Sequence, residues 1–235
     1  MELNDEARGA VDRLLETLAT DDSIRAVAAF GSAVRGDFDP RRSDVNVMIA
    51  LSTASLEALT AIAPALRDAR RRDRVQPFVV EAKELPRLAD VFPIRVLDMK
   101  RRHVLLRGDD LLAPIDVERR HLRLRVEQEL RNHLLRTRRA VLEADEDAAT
   151  LMHVSRVAVR RLRLELWALT VLLDDEPAEL EPVPVLTHAA RLLDVDARSL
   201  DALLDAGAED PPARTRALLD LLARAIRAAD ELEVA

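Results

Sequence analysis

The stretch AAFGSAVRGDFDPRRSDVNVMIAL, residues 28–51, decides how this chain is read. Its first three residues close an apolar run, residues 24–30 (IRAVAAF), that stops at a glycine and predicts a buried strand. Its last seven, residues 45–51 (VNVMIAL), predict a second strand. Between them lie Gly31 and Gly36, two of only five glycines in 235 residues. Gly31-Ser32 predicts a turn opening a short helix, where backbone N–H groups attract phosphate oxygens and the Ser32 hydroxyl adds a donor. Arg35, one turn further on, can supply a charge-assisted contact. Asp44 and Asn46 are two apart on the second strand and so share a face, while Val45, Val47 and Ile49 point to the core. A phosphate cradle facing a polar pair on a neighbouring strand suits a metal-bound nucleotide.

Working outward, Asn4 or Asp5 predicts the cap of a helix to about Ala19, with Val11, Leu14, Leu15 and Leu18 on one face. Residues 55–71 have helical spacing and a strongly basic end. Residues 75–81 read as a third strand, which Pro77 confines to an edge or an irregular position. Residues 92–99 (FPIRVLDM) read as a fourth, followed by 103–106 and a turn at Gly108. Strands interleaved with helices predict a mixed α/β or α+β domain over residues 1–112. Beyond it the strand signal fades. Helical stripes predict long helices over 116–142 and 148–173, and the acidic, proline-bearing segment 174–185 reads as a linker. Shorter helices are expected at 186–193 and 198–206 and a final one at 212–232. Residues 113–235 are therefore expected to form an all-α helical bundle.

The window 28–51 resembles the nucleotidyltransferase superfamily with the DNA polymerase β fold, particularly its minimal and aminoglycoside-modifying bacterial members. The pattern is a hydrophobic strand, Gly-Ser, often Arg-Gly, about ten residues, then Ser-Asp-x-Asp in a second hydrophobic strand. Here it is supplied by FGSAVRG, the eleven residues from Ala33 to Ser43, and DVNVMIAL. The resemblance implies an α+β fold: a nucleotidyltransferase-like mixed sheet with flanking helices, followed by a helical bundle. It also implies Mg²⁺-dependent transfer of a nucleoside monophosphate from ATP or another NTP to a hydroxyl acceptor. Gly31, Ser32 and Arg35 would hold the nucleotide's phosphates, and Asp44 and Asn46 the metal. A third carboxylate on a later strand would complete the catalytic set.

The sequence departs from that pattern at the second carboxylate, which is Asn46. An amide offers a metal one neutral oxygen and no charge, whereas two close divalent cations need several carboxylates. For the third carboxylate the choices are Asp98, on the expected strand 92–99 whose middle holds Arg95, and Glu81. The expectation is a site that binds nucleotide and transfers weakly or not at all. Its alternative is a non-catalytic nucleotide- or partner-binding relative, such as an antitoxin-like or regulatory subunit, with a homodimer or a toxin-like protein as partner.

Composition narrows the field. There is no cysteine, so no disulfide, thiolate metal site or cysteine nucleophile. Net charge is −7 and aromatics are 2%, which disfavours nucleic acid as a partner and a stacking platform for single strands. The acidity belongs to residues 174–235, with 15 acidic against 6 basic residues, while residues 1–173 are near neutral. The start, MELNDEARGAVDRL, has no basic segment followed by an apolar core, and no run approaches the length of a membrane span. A cytoplasmic protein without membrane contact is expected. In the helical half Arg156, Arg160 and Arg163 form one basic stripe, which can complete an acidic-substrate cleft or pair with acidic neighbours.

Overall fold

A computed structural model describes residues 2–18, 21–35, 38–145, 147–174, 182–205 and 210–233. The chain divides into two compact units, Met1–Val117 and Glu118–Ala235, so the boundary falls five residues later than expected. The first is α+β and the second, in its described residues, all helical.

In the first unit the order is α1 (Asp5–Thr17), β1 (Ile24–Phe30), α2 (Ser32–Arg35), β2 (Val45–Leu51), α3 (Leu56–Asp73), β3 (Val75–Glu81), α4 (Leu85–Val91), α5 (Pro93–Arg101) and β4 (His103–Gly108). Asn4 caps α1 by accepting from the N–H groups of Glu6 and Ala7, and Ser55 caps α3 by accepting from Ala58. The sheet order is β3-β2-β1-β4. β1 runs antiparallel to both β2 and β4, and β2 parallel to β3, so the sheet is mixed. Pro77 lies on β3, an edge strand, where its missing N–H costs the sheet least.

Strand alternation splits the core into two clusters. Val27, Ala29, Val45, Val47 and Ile49 pack with α1 and α3 residues such as Leu14 and Ile62. Ala28, Phe30, Met48 and Ala50 face the other way and pack with Leu85, Val96 and Met99 of α4 and α5. Each side chain of this size taken fully out of water contributes about 1.5–3 kcal/mol. Gly108 ends β4 at φ +80°, and a Cβ there would lie 1.9 Å from the Arg25 carbonyl oxygen. Only glycine fits so close to that backbone.

In the first unit the segment 92–99 departs from the sequence expectation. Residues 92–99 are not the fourth strand; Pro93–Arg101 is helix α5, and β4 is the following segment, His103–Gly108. Pro93 sits in the first turn of α5, where its fixed φ suits a helix start. Ile94, Val96, Leu97, Asp98 and Met99 are buried and Arg95 alone among residues 94–99 is exposed, too few polar positions to mark a helical stripe in so short a run.

The second unit contains α6 (Arg119–Glu143), α7 (Ala148–Arg161), α8 (Arg163–Leu173), α9 (Pro182–Leu192), α10 (Ala197–Leu204) and α11 (Pro211–Glu231). The helix expected over 148–173 is broken in two at Leu162, which has φ −72° and ψ −10°. The linker expected over 174–185 is shorter, because α9 begins at Pro182; residues 175–181 lie outside the described residues. Seven consecutive residues of α8, Leu166–Leu172, are buried. α11 packs along α6 and α7, and α8 against α6 and α9. No helix among the described residues is long and apolar enough to cross a membrane.

Candidate functional site

Because β1 and β2 are antiparallel neighbours, the end of β1 meets the start of β2. Gly31 leaves β1 at φ +79°, and a Cβ placed there would lie 2.8 Å from Asn46 Nδ2. The glycine is thus required twice, by its backbone angle and by the amide packed against it. Helix α2 is a single turn in which the Val34 and Arg35 N–H groups return to the Gly31 carbonyl at 3.0 and 3.1 Å.

The strand register extends the site sideways. Phe30 pairs with Asn46 on one side and His103 on the other, and Asn46 pairs with Gln76. Cross-strand partners share a face. Gln76, Asn46, Phe30 and His103 therefore form one row, one residue from each strand, on the face that carries α4 and α5. Phe78 stacks edge-on against Phe30, with ring centroids 6.5 Å apart, and the Arg95 guanidinium lies 5.3 Å from the Phe78 centroid. His103 turns both ring nitrogens to oxygens, Nδ1 at 2.8 Å from the Met99 carbonyl and Nε2 at 3.2 Å from Asp110. Burial alone would raise the Asp110 carboxyl, but N–H bonds from Ala113 and Leu112 and the His103 ring outweigh it and hold it below its ordinary value.

Asp98 does not stand on a strand. It is on α5, 5% exposed, between Arg35 Nη1 at 3.1 Å and Arg102 Nε at 3.2 Å. The expected phosphate ligand Arg35 and the expected catalytic Asp98 are thus brought together, as an ion pair. Burial pulls the Arg102 guanidinium below the usual arginine value; Asp98 opposes that shift and the nearby Arg35 adds to it. Asp44 is held elsewhere: the Arg74 guanidinium donates to its Oδ1 through Nε and Nη2 at 3.1 and 3.0 Å. Arg74 also donates to the Arg41 and Arg42 carbonyls, so this arginine ties the loop before β2 to the start of β3. Glu81 is at the opposite end of β3 from Gln76, paired with Leu51. It accepts from the Ala54 N–H at 2.8 Å and pairs with Lys83, which is a structural role.

A magnesium ion needs several oxygen ligands that carry negative charge. The residues present do not fit one. Asn46 and its neighbour Gln76 are both neutral amides, Asp44 is occupied by Arg74, and Asp98 is enclosed by two guanidinium groups. Arg35, Arg95 and Arg102 outnumber the carboxylates of Asp98 and Asp110 at this end of the sheet, a small positive balance that favours an anion. Gln76 and Arg102 were not legible as site residues, since sheet register and the helical Asp98–Arg102 spacing have no trace in a strand reading. No protein-family model matches the chain, and no curated protein matches it either.

Proposed function

We propose that residues 1–117 are a nucleotidyltransferase-like unit that binds the phosphates of a nucleotide without a metal ion and does not transfer the nucleoside monophosphate. The adjacency of β1 and β2, with the Gly31 turn packed on Asn46, supports the likeness. The observation that carries the functional reading is the pair of amides, Asn46 beside Gln76 on the adjacent strand, the first standing where the resemblance calls for a carboxylate. Amide N–H groups and guanidinium groups bind phosphate oxygens directly, so the charge a metal would neutralise is met by the protein itself. In this reading Gly31 and Ser32 admit the phosphate chain, and Arg102 and Arg35 supply the field.

The catalytic alternative differs at one residue. If Asp44 is a metal ligand, Asp44→Ala abolishes ATP binding in magnesium; if Asp44 only anchors the loop through Arg74, binding survives. Calorimetry of ATP with wild type, Asp44→Ala and Arg102→Gln separates the two. The expected result is retained binding in Asp44→Ala, a loss of about tenfold in Arg102→Gln, and no pyrophosphate release from wild type with Mg²⁺ or Mn²⁺. Pyrophosphate release by wild type, lost in Asp44→Ala, overturns the proposal.

A further inference from the structure

The arginine stripe of the helical unit does not simply face water. Arg156 and Arg160 on α7, Arg163 on α8 and Arg214 on α11 line one cavity of about 250 Å³ whose remaining wall is aliphatic, including Val159, Leu166 and Leu203. Four arginines thus put positive charge beside an aliphatic wall, a combination that suits an anion with an apolar body. Arg214 is the most constrained of them. It is 3% exposed, and its Nη1 donates to the carbonyls of Ala202 and Asp205 at the C-terminal end of α10. Its Nε is buried with no hydrogen-bond partner. A buried unpaired N–H on a charged group is costly. Burial first, and then the charge of Arg156, pull the Arg214 guanidinium below the usual arginine value, with Asp205 opposing. Arg160 is exposed and makes no hydrogen bond or ion pair among the described residues.

We infer that this cavity is a binding site for a small amphipathic anion, an apolar chain or ring carrying a carboxylate or phosphate head, separate from the nucleotide site proposed for residues 1–117. The aliphatic wall takes the body by burial, and the arginines take the head. The volume lies a little below that of drug-sized ligand pockets, about 300–1,000 Å³, which limits the occupant to a short chain.

The test uses the full-length protein and four probes in calorimetry: octanoate, octyl phosphate, octanol and acetate. Trp167, the only tryptophan, is buried on α8 next to Leu166 and supplies a fluorescence readout in the same titrations. Octanoate or octyl phosphate should bind at least about tenfold tighter than octanol or acetate, since head and body are both needed. The tighter of the two anions tells a carboxylate ligand from a phosphate ester. Arg160→Gln, at an exposed position that leaves folding intact, should weaken the anion about tenfold and leave octanol unchanged. Val159→Trp, at a half-buried position, should fill the chamber and abolish binding of both. Octanol binding as tightly as octanoate overturns the inference. So does unchanged octanoate affinity in a folded Val159→Trp, or no binding of either anion up to its solubility limit. ATP binding by residues 1–117 is unaffected by these variants, so failure here leaves that reading standing.

Discussion

Gly31→Ala is the substitution whose cost the structure specifies best. At φ +79° any L-residue with a Cβ pays about 1–2 kcal/mol in backbone strain. The new methyl would also lie 2.8 Å from Asn46 Nδ2, inside normal contact distance, and the Asn46 side chain must shift at about 1 kcal/mol or more. Against this, alanine restricts the unfolded chain and returns up to about 1 kcal/mol. The net expectation is a loss of about 1–3 kcal/mol. Because the second contribution arises from one side chain, Asn46→Ala should remove it. The double variant should recover about 1 kcal/mol relative to the sum of the singles. Gly108→Ala is the contrast: its Cβ meets the Arg25 carbonyl oxygen at 1.9 Å, and no side-chain truncation relieves a backbone clash. Urea denaturation combined with hydrogen exchange of the β1 and β2 amides reads the effect locally. The reasoning is refuted if Gly31→Ala is as stable as wild type. It is equally refuted if the two changes add within about 0.3–0.5 kcal/mol, the range for independent sites.

Four further outcomes are expected. Asp98→Asn leaves Arg35 and Arg102 facing each other at 14% and 17% side-chain exposure and should cost about 3 kcal/mol or more. Asp44→Asn, in a pair exposed at 41% and 47%, should cost under about 1 kcal/mol in the same denaturation experiment. Burial would raise the Asp73 carboxyl, but hydrogen bonds from Arg13 and Arg72 outweigh it and hold it below the ordinary value of about 4. Its folded pKa is therefore depressed, so its stabilisation is complete above pH about 5 and disappears as pH falls through the folded value. Thermal melts of wild type and Asp73→Asn should differ by a constant amount above pH about 5 and converge in acid. Finally, Asn46→Asp with Gln76→Asp should create a Mn²⁺ site detectable by calorimetry, where wild type shows none; equal Mn²⁺ binding in both would remove the amide pair as the determinant.

Three strands, the Gly31 turn and the helical character of the second unit were legible because each leaves a periodic or punctuating signal: a near-continuous apolar run in 45–51, a glycine after 24–30, and Pro77 marking an edge. The segment 92–99 was not, because a short helix buried over most of its surface has the same apolar density as a buried strand. Pro93, a good first-turn residue, was the available clue. Misplacing that segment also hid the role of Asp98, since a carboxylate and an arginine four apart meet only on a helix. Gln76 was hidden for a different reason: its neighbour on the next strand is fixed by sheet register, which no local pattern encodes. The break at Leu162 carries neither proline nor glycine, so nothing local announces it. The basic stripe was visible as spacing, while its convergence on Arg214, some fifty residues later, required the fold.

The most direct measurement is the dissociation constant of ATP by calorimetry in excess EDTA and again in excess Mg²⁺. A site built from amides and guanidinium groups should bind ATP in EDTA at least as tightly as in magnesium, because the metal masks the phosphate charge those groups recognise. Binding that appears only with magnesium, or tightens about tenfold when it is added, would contradict a metal-free phosphate site at Gly31, Asn46 and Gln76.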